Sequence, residues 1–153
     1  MFQTTLETPI GRLLIEGTRE AVTAVNFVAP ETKAVFRAGG AVIVARRQLR
    51  EYFAGKRREF NVPLLLDGTH FQRAVWEQLR QVRFGETVSY AELARRIDAP
   101  TAPRAVGRAN GANPILLLVP CHRVLGVRGR LTGFRAGLDK KTWLLKHEQA
   151  VML

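Results

Sequence analysis

Three consecutive side chains hold most of the reactive chemistry this sequence can offer: Cys121, His122 and Arg123. Cys121 is the one cysteine in 153 residues. A thiol attacks as its thiolate, and cationic or hydrogen-bonding neighbours lower its pKa; here an imidazole and a guanidinium follow directly. Five apolar residues, Ile115 to Val119, lead into Pro120, so the cysteine falls where a buried segment gives way to a turn. Local chemistry leaves two alternatives: an activated nucleophile, or an inert cysteine of the kind that cores favour. A Cys-His pair works as a nucleophile when a third polar group orients the imidazole. Glu148 is the first candidate for that group and Asp139 the second.

The charge is the other conspicuous feature. Lys and Arg number 24 against 13 acids, a formal net charge of +11 with a pI near 11.2. Such a balance points to a polyanion, either nucleic acid or an anionic membrane surface. Between Arg95 and Arg135 there are eight arginines and a single acid, Asp98, so the excess gathers around the cysteine. A 46% hydrophobic share and a 24% charged share are those of an ordinary globular chain. One cysteine excludes an intramolecular disulfide and suits a reducing compartment. With no leader and no apolar run of membrane length, the expectation is a soluble, cytoplasmic protein with no membrane partner. His70, His122 and His147 are scattered and give no zinc spacing, so no metal is expected.

The elements that must position these residues follow from periodicity. Residues 2–28 cluster apolar and β-branched side chains between turn signals at Pro9, Gly11, Gly17 and Pro30, which predicts an antiparallel meander. Residues 41–53 have helical spacing, with Arg46, Arg47 and Arg50 read as a solvated face. An apolar piece at 60–66 ends at Asp67-Gly68, taken as the boundary between a domain at 1–66 and another at 67–153. The second domain opens with a helix at 71–82. Ser89 and Glu92 have the form of a capping box for a short helix at 90–97. A further helix at 101–110 has Pro103 in its first turn. Two short helices joined by a tight turn make a helix-turn-helix. Arg104 and Arg108 lie on its second helix, beside small residues (Ala105, Gly107, Ala109) that allow close approach to DNA. A glycine-rich loop spans 125–137, and Asp139 is expected to cap a last helix running to Gln149, on which His147 reads as structural.

The string Pro120-Cys121-His122-Arg123-Val124 keeps specific company: Arg104-Ala105-Val106-Gly107 and Asn113-Pro114 before it, Trp143 to Glu148 after it. In this the chain resembles the O6-alkylguanine-DNA alkyltransferases, over nearly its whole length. The resemblance implies an α+β fold, with a small N-terminal antiparallel-sheet domain of ribonuclease-H-like form carrying a helix. A mostly helical C-terminal domain would hold the helix-turn-helix and the active-site cysteine. It implies direct transfer of an alkyl group from O6-alkylguanine in double-stranded DNA to Cys121, once per molecule and without a cofactor, with O4-alkylthymine a further candidate substrate. The protein would be a monomer that binds the minor groove and flips the damaged nucleotide. His122 would deprotonate Cys121 through a water, Glu148 would orient His122, and Asn113 would tie the helix-turn-helix to the active-site segment. Arg104 would fill the gap left by the flipped base, and Tyr90 would help to rotate the nucleotide. The carbonyls of Cys121 and Val124 would accept from the guanine amine. Ala105, Arg108, Arg123 and Arg135 complete the expected DNA-contacting set. Relatives usually have a small, glycine-rich run after the aromatic, where this chain reads Gly133-Phe134-Arg135-Ala136-Gly137, so Arg135 would either contact phosphate or crowd the pocket.

Three other classes of protein share parts of this pattern. Alkyltransferase-like lesion sensors lack the cysteine that is present here. A sequence-specific regulator would prefer particular bases. A cysteine hydrolase would turn over and would not need the arginines, and salt-dependent DNA binding separates it from the alkyltransferase.

Overall fold

The computed structural model describes residues 1–150, which divide into two units. The first comprises Met1–Asp67 with Pro114–Leu118, the second Gly68–Asn113 with the chain from Val119 onward. Among the described residues no helix is long and apolar enough to cross a membrane.

In the first unit, β1 (Phe2–Thr8), β2 (Gly11–Gly17) and β3 (Val22–Val28) form the expected antiparallel meander. The two-residue β1–β2 turn is closed by Thr8, whose hydroxyl donates to the Gly11 carbonyl at 2.7 Å and accepts from the Ile10 amide at 3.2 Å. A two-residue strand, β4 (Phe36–Arg37), pairs with β1, giving the order β3-β2-β1-β4. Helix α1 (Gly40–Phe53) lays Ala41, Val42, Ala45, Leu49 and Tyr52 against the sheet. Its entry needs glycine, because Gly40 has φ +52° and a Cβ there would meet the Arg19 carbonyl at 2.4 Å.

The apolar piece at 60–66 forms no regular strand. Leu64 makes a single bridge to Val22, and Pro114–Leu118 adds a similar bridge between Ile115 and Val25. That second segment enters the first unit from far along the sequence, an excursion that one cut at residue 66 leaves out. Leu117 then reverses the chain at φ +72°, with the Leu118 amide donating to the Leu116 carbonyl at 2.8 Å. These are the features of a γ-turn, a strained form in a residue without glycine's freedom.

The second unit begins with α2 (His70–Leu79), started by a capping box between Thr69 and Gln72. The helix is shorter than the expected 71–82, since Val82 is reached through a turn beyond Leu79. Its Val75, Trp76 and Leu79 are buried, and the Trp76 indole donates to the Ala109 carbonyl at 2.8 Å. Strand β5 (Val88–Ser89) pairs in parallel with β6 (Val124–Leu125). Helices α3 (Tyr90–Arg96) and α4 (Pro103–Gly111) pack on each other and on α2, joined by a turn at Asp98 in the left-handed region. Only half of the capping box at Ser89 forms: its hydroxyl accepts from the Glu92 amide at 3.0 Å, while the Glu92 carboxylate turns to Arg95 and Arg96. Asp139 is not the cap of α5 (Leu138–His147) either. Gly137 holds that position and Asp139 sits in the first turn, where its charge suits the helix dipole.

Candidate active site

Cys121 opens a one-turn 3-10 helix, Cys121–Arg123, that follows Pro120. Pro120 has φ −81° and ψ 65°, and the Cys121 amide donates back to the Val119 carbonyl at 2.8 Å. This inverse γ-turn is a conformation that the proline ring prepares, and it turns the chain sharply at the thiol. The cysteine is 3% exposed.

His122 and Arg123 both bond to Glu148, the C-cap of α5. The His122 Nε2 lies 2.7 Å from Glu148 Oε2. Arg123 donates from Nε to Oε1 at 2.8 Å and from Nη2 to Oε2 at 3.0 Å, and its Nη1 donates to the Val82 carbonyl at 2.7 Å. All three side chains are buried. Burial alone would raise the Glu148 pKa, but His122 and Arg123 outweigh it and hold the carboxyl below its ordinary 4.5. Burial keeps His122 below its ordinary 6.5 against the pull of Glu148, which favours the neutral ring. An ionised carboxylate can only accept, so Nε2 carries the ring proton and Nδ1 carries the lone pair. That Nδ1 is buried and has no hydrogen-bond partner among the described residues.

The thiol is tuned by a different set of groups. Burial pushes its pKa up, while a hydrogen bond with the Asn113 side chain and the positive charges of Arg135 and Lys141 pull it back down. Sequence adjacency therefore misleads here: the cations that favour the thiolate come from residues 14 and 20 positions further on. Asn113 also donates from Nδ2 to the Val119 carbonyl at 2.8 Å, bracing the turn before the cysteine. Arg135 donates from Nη2 to the Asn113 carbonyl at 2.8 Å, a role that neither expectation for it included.

Two side chains at the site escaped the sequence reading. Lys141, fully buried, donates from Nζ to the carbonyls of Val124 and Thr132, both at 2.6 Å. Burial lowers its pKa to about 8, against the opposing influence of Cys121. It follows Lys140 on a helix, where a second lysine reads as surface. Asn110, on α4, donates from Nδ2 to the Cys121 carbonyl at 3.3 Å, linking the second helix of the helix-turn-helix to the nucleophile's own backbone. The Cys121 and Val124 carbonyls, expected to accept from a guanine amine, thus each already hold one donor. A carbonyl oxygen has two lone pairs, so each retains capacity for another.

Tyr90 and Arg104 line an open cavity of about 760 Å³ together with Pro103, Gly107, Val127 and Arg128. The Tyr90 hydroxyl donates to the Thr132 carbonyl at 3.5 Å. Gly107 lies under its ring, where a Cβ would come within 3.7 Å. Arg104 and Arg108 are exposed on α4, with Ala105 half-buried between them. Arg123 is the exception among the expected DNA contacts: its guanidinium is spent inside the protein on Glu148 and Val82. Arg95 and Arg96 are partly neutralised by Glu92.

A buried cysteine with a His-carboxylate base, on the same unit as a helix-turn-helix, defines a class: a thiol nucleophile mounted on a DNA-binding fold. Residues 70–150 match the 6-O-methylguanine DNA methyltransferase DNA binding domain, and residues 1–66 match the ribonuclease-like domain of the same proteins. The methylated-DNA–protein-cysteine methyltransferase of Methanosarcina acetivorans is 43% identical, over 97% of this chain and 98% of its own length. The crystal structure of the Mycobacterium tuberculosis O6-methylguanine methyltransferase is similar with a TM-score of 0.86 at 42% identity, covering 97% of this chain and 93% of that one. The Mycobacterium tuberculosis protein OGT in complex with DNA matches with a TM-score of 0.88 at 42% identity, over 98% and 94%. The chain belongs to the 6-O-methylguanine DNA methyltransferase family.

Proposed function

We propose that Cys121 accepts the alkyl group of O6-alkylguanine in double-stranded DNA, in one irreversible transfer per molecule. The reaction is that of the family to which the chain belongs. The observation that carries the assignment of roles is the His122–Glu148 contact, which leaves His122 Nδ1 as an uncommitted base on the residue next to the only cysteine. His122 takes the thiol proton, through a water, and Glu148, locked by Arg123, stabilises the imidazolium that results. The thiolate attacks the alkyl carbon, a C–S bond forms as the O6–C bond breaks, and the proton passes to guanine, which leaves neutral. The product on the protein is a thioether, and a chain without a second cysteine has no thiol of its own to reverse it.

A thiol 3% exposed cannot meet a base that stays stacked in a duplex, so the nucleotide must be extruded. Arg104 fills the vacated space from the minor groove, and Tyr90, at the wall of the cavity, guides the base. Arg108, Arg128 and Arg130 supply phosphate contacts. The protein acts as a monomer, one molecule to each lesion.

Intact-protein mass after incubation with excess duplex containing O6-methylguanine tests this reading. Wild type gains one methylene and stops, and Cys121→Ser gains nothing. Salt-sensitive DNA binding with no mass gain would instead make the protein a lesion sensor, with Arg135 the first suspect for closing the pocket.

A further inference from the structure

The first unit carries a basic surface apart from the residues assigned to alkyl transfer. Between Thr32 and Arg50 the sequence holds five cations, Lys33, Arg37, Arg46, Arg47 and Arg50, and no acid. Ile43, Arg46, Arg47 and Arg50 recur at the three- and four-residue spacing that gathers side chains on one face of α1. Beside them, Phe36 lies on β4 at the edge of the sheet and is 66% exposed, and Ile43 is 44% exposed. Most exposed apolar side chains are single and need no explanation, but two flanking a cluster of arginines form a patch.

The patch is also built. The Arg46 guanidinium lies 5.2 Å from the centre of the Phe36 ring, and its Nε donates to the Thr5 carbonyl at 3.1 Å, so one cation is fixed in place. Arg47 and Arg50 are exposed and make no side-chain hydrogen bond or ion pair among the described residues. Together with Phe36 and Ile43 these three arginines line a cavity of about 470 Å³.

We propose that this face docks an acidic polypeptide segment carrying an apolar anchor, such as the acidic tail of a partner protein. The arginines match the carboxylates, and the cavity between Phe36 and Ile43 takes one aromatic or branched side chain. In such interfaces the anchor in a pocket supplies most of the affinity, while rim charges set the encounter rate and the selectivity. A nucleic-acid strand fits less well, because binding a strand uses successive aromatic platforms along a groove, and here there is one ring in a short cavity.

Fluorescence anisotropy of a labelled oligo-aspartate peptide ending in a single phenylalanine, titrated with the full chain, tests the proposal. Saturable binding is expected, weakened about tenfold by Arg47→Glu with Arg50→Glu and by a similar factor by Phe36→Ser, the size of hot-spot losses. Replacing the peptide's phenylalanine with serine should weaken binding about as much. Thermal melting checks that the variants fold, and all of them should still transfer a methyl group at the wild-type rate. Equal binding of the serine peptide would overturn the proposal, since charge alone would then account for it. So would a single-stranded oligothymidine that displaces the peptide and itself loses affinity in the same variants, which would make this a nucleic-acid surface.

Discussion

Two sets of charged side chains in the second unit follow opposite rules. Around Cys121 the charges are buried and matched atom for atom: Glu148 holds His122 and Arg123, and Lys141 is pinned between two carbonyls. On α4 and the loop after β6, Arg104, Arg108, Arg128 and Arg130 stand exposed with no side-chain partner among the described residues. A buried ion whose partner is removed keeps its desolvation cost and loses its compensation. An exposed ion loses only a screened, shared contribution to the local field. The first set should therefore respond to mutation in stability and chemistry together. The second should respond only in DNA binding, and in proportion to salt.

Glu148→Gln breaks the first set most severely. It leaves the Arg123 guanidinium buried without its anion, at a cost of about 3–5 kcal/mol, and removes the group that stabilises a protonated His122. Methyl transfer should slow by about a hundredfold or more, the range of general-base contributions. The pH dependence carries a sign as well. His122 and Glu148 both have folded pKa values below their ordinary 6.5 and 4.5, so the unfolded chain binds more protons. Stability from these groups is complete above pH 6.5 and falls as pH drops, first through the histidine window and then below 4.5. In Glu148→Gln the lower window disappears. Thermal melting from pH 8 down to about pH 3 follows both; a variant with unchanged melting temperature and slope would show that the pair is not the matched unit described here.

How far this contrast could be read from the sequence depended on the kind of signal. The meander, α1, α3 and α4 were legible because period and punctuation agree in those stretches, as with Pro103 in the first turn of α4. Cys121, His122 and Glu148 were legible through the motif around them. Their electrostatics were not, because burial and long-range contacts set the pKa values. Arg123 stood among the DNA contacts that the resemblance implies, yet the fold pairs it with Glu148 inside the protein. Lys141 was hidden for the same reason, being a lysine beside a lysine on a helix with little apolar pattern. The excursion of Pro114–Leu118 into the first unit is a tertiary event that no local pattern marks.

Lys141→Met sharpens the comparison at intermediate cost. It leaves the Val124 and Thr132 carbonyls without their donor, a loss of about 1–3 kcal/mol for each buried group left unsatisfied. It also removes a cation that favours the Cys121 thiolate, so the thiol should titrate higher, as read by the pH dependence of its reaction with iodoacetamide. With a folded pKa of about 8 against an ordinary 10.5, Lys141 makes wild-type stability rise as pH increases across that window. The variant should lose that rise. If it melts like wild type at every pH, the ammonium is not buried as described and belongs with the exposed set.

The exposed set should give the smallest effects, and its two arginines on α4 should differ from each other. Arg104→Ala should slow transfer from duplex by about tenfold or more, because extruding a base costs a few kcal/mol that the side chain proposed to fill its place would help to offset. Transfer from the free base O6-methylguanine should not change, since nothing needs to be flipped. Arg108→Ala should leave both reactions intact and weaken DNA binding evenly across sequences, reducing the slope of log affinity against log salt by about one. Neither variant should move the melting temperature, because neither guanidinium gives up a partner on folding. An Arg108→Ala protein that lost duplex transfer while keeping its salt slope would place this arginine with the reacting base, and the boundary between the matched and the exposed charges would have to be redrawn through the middle of α4.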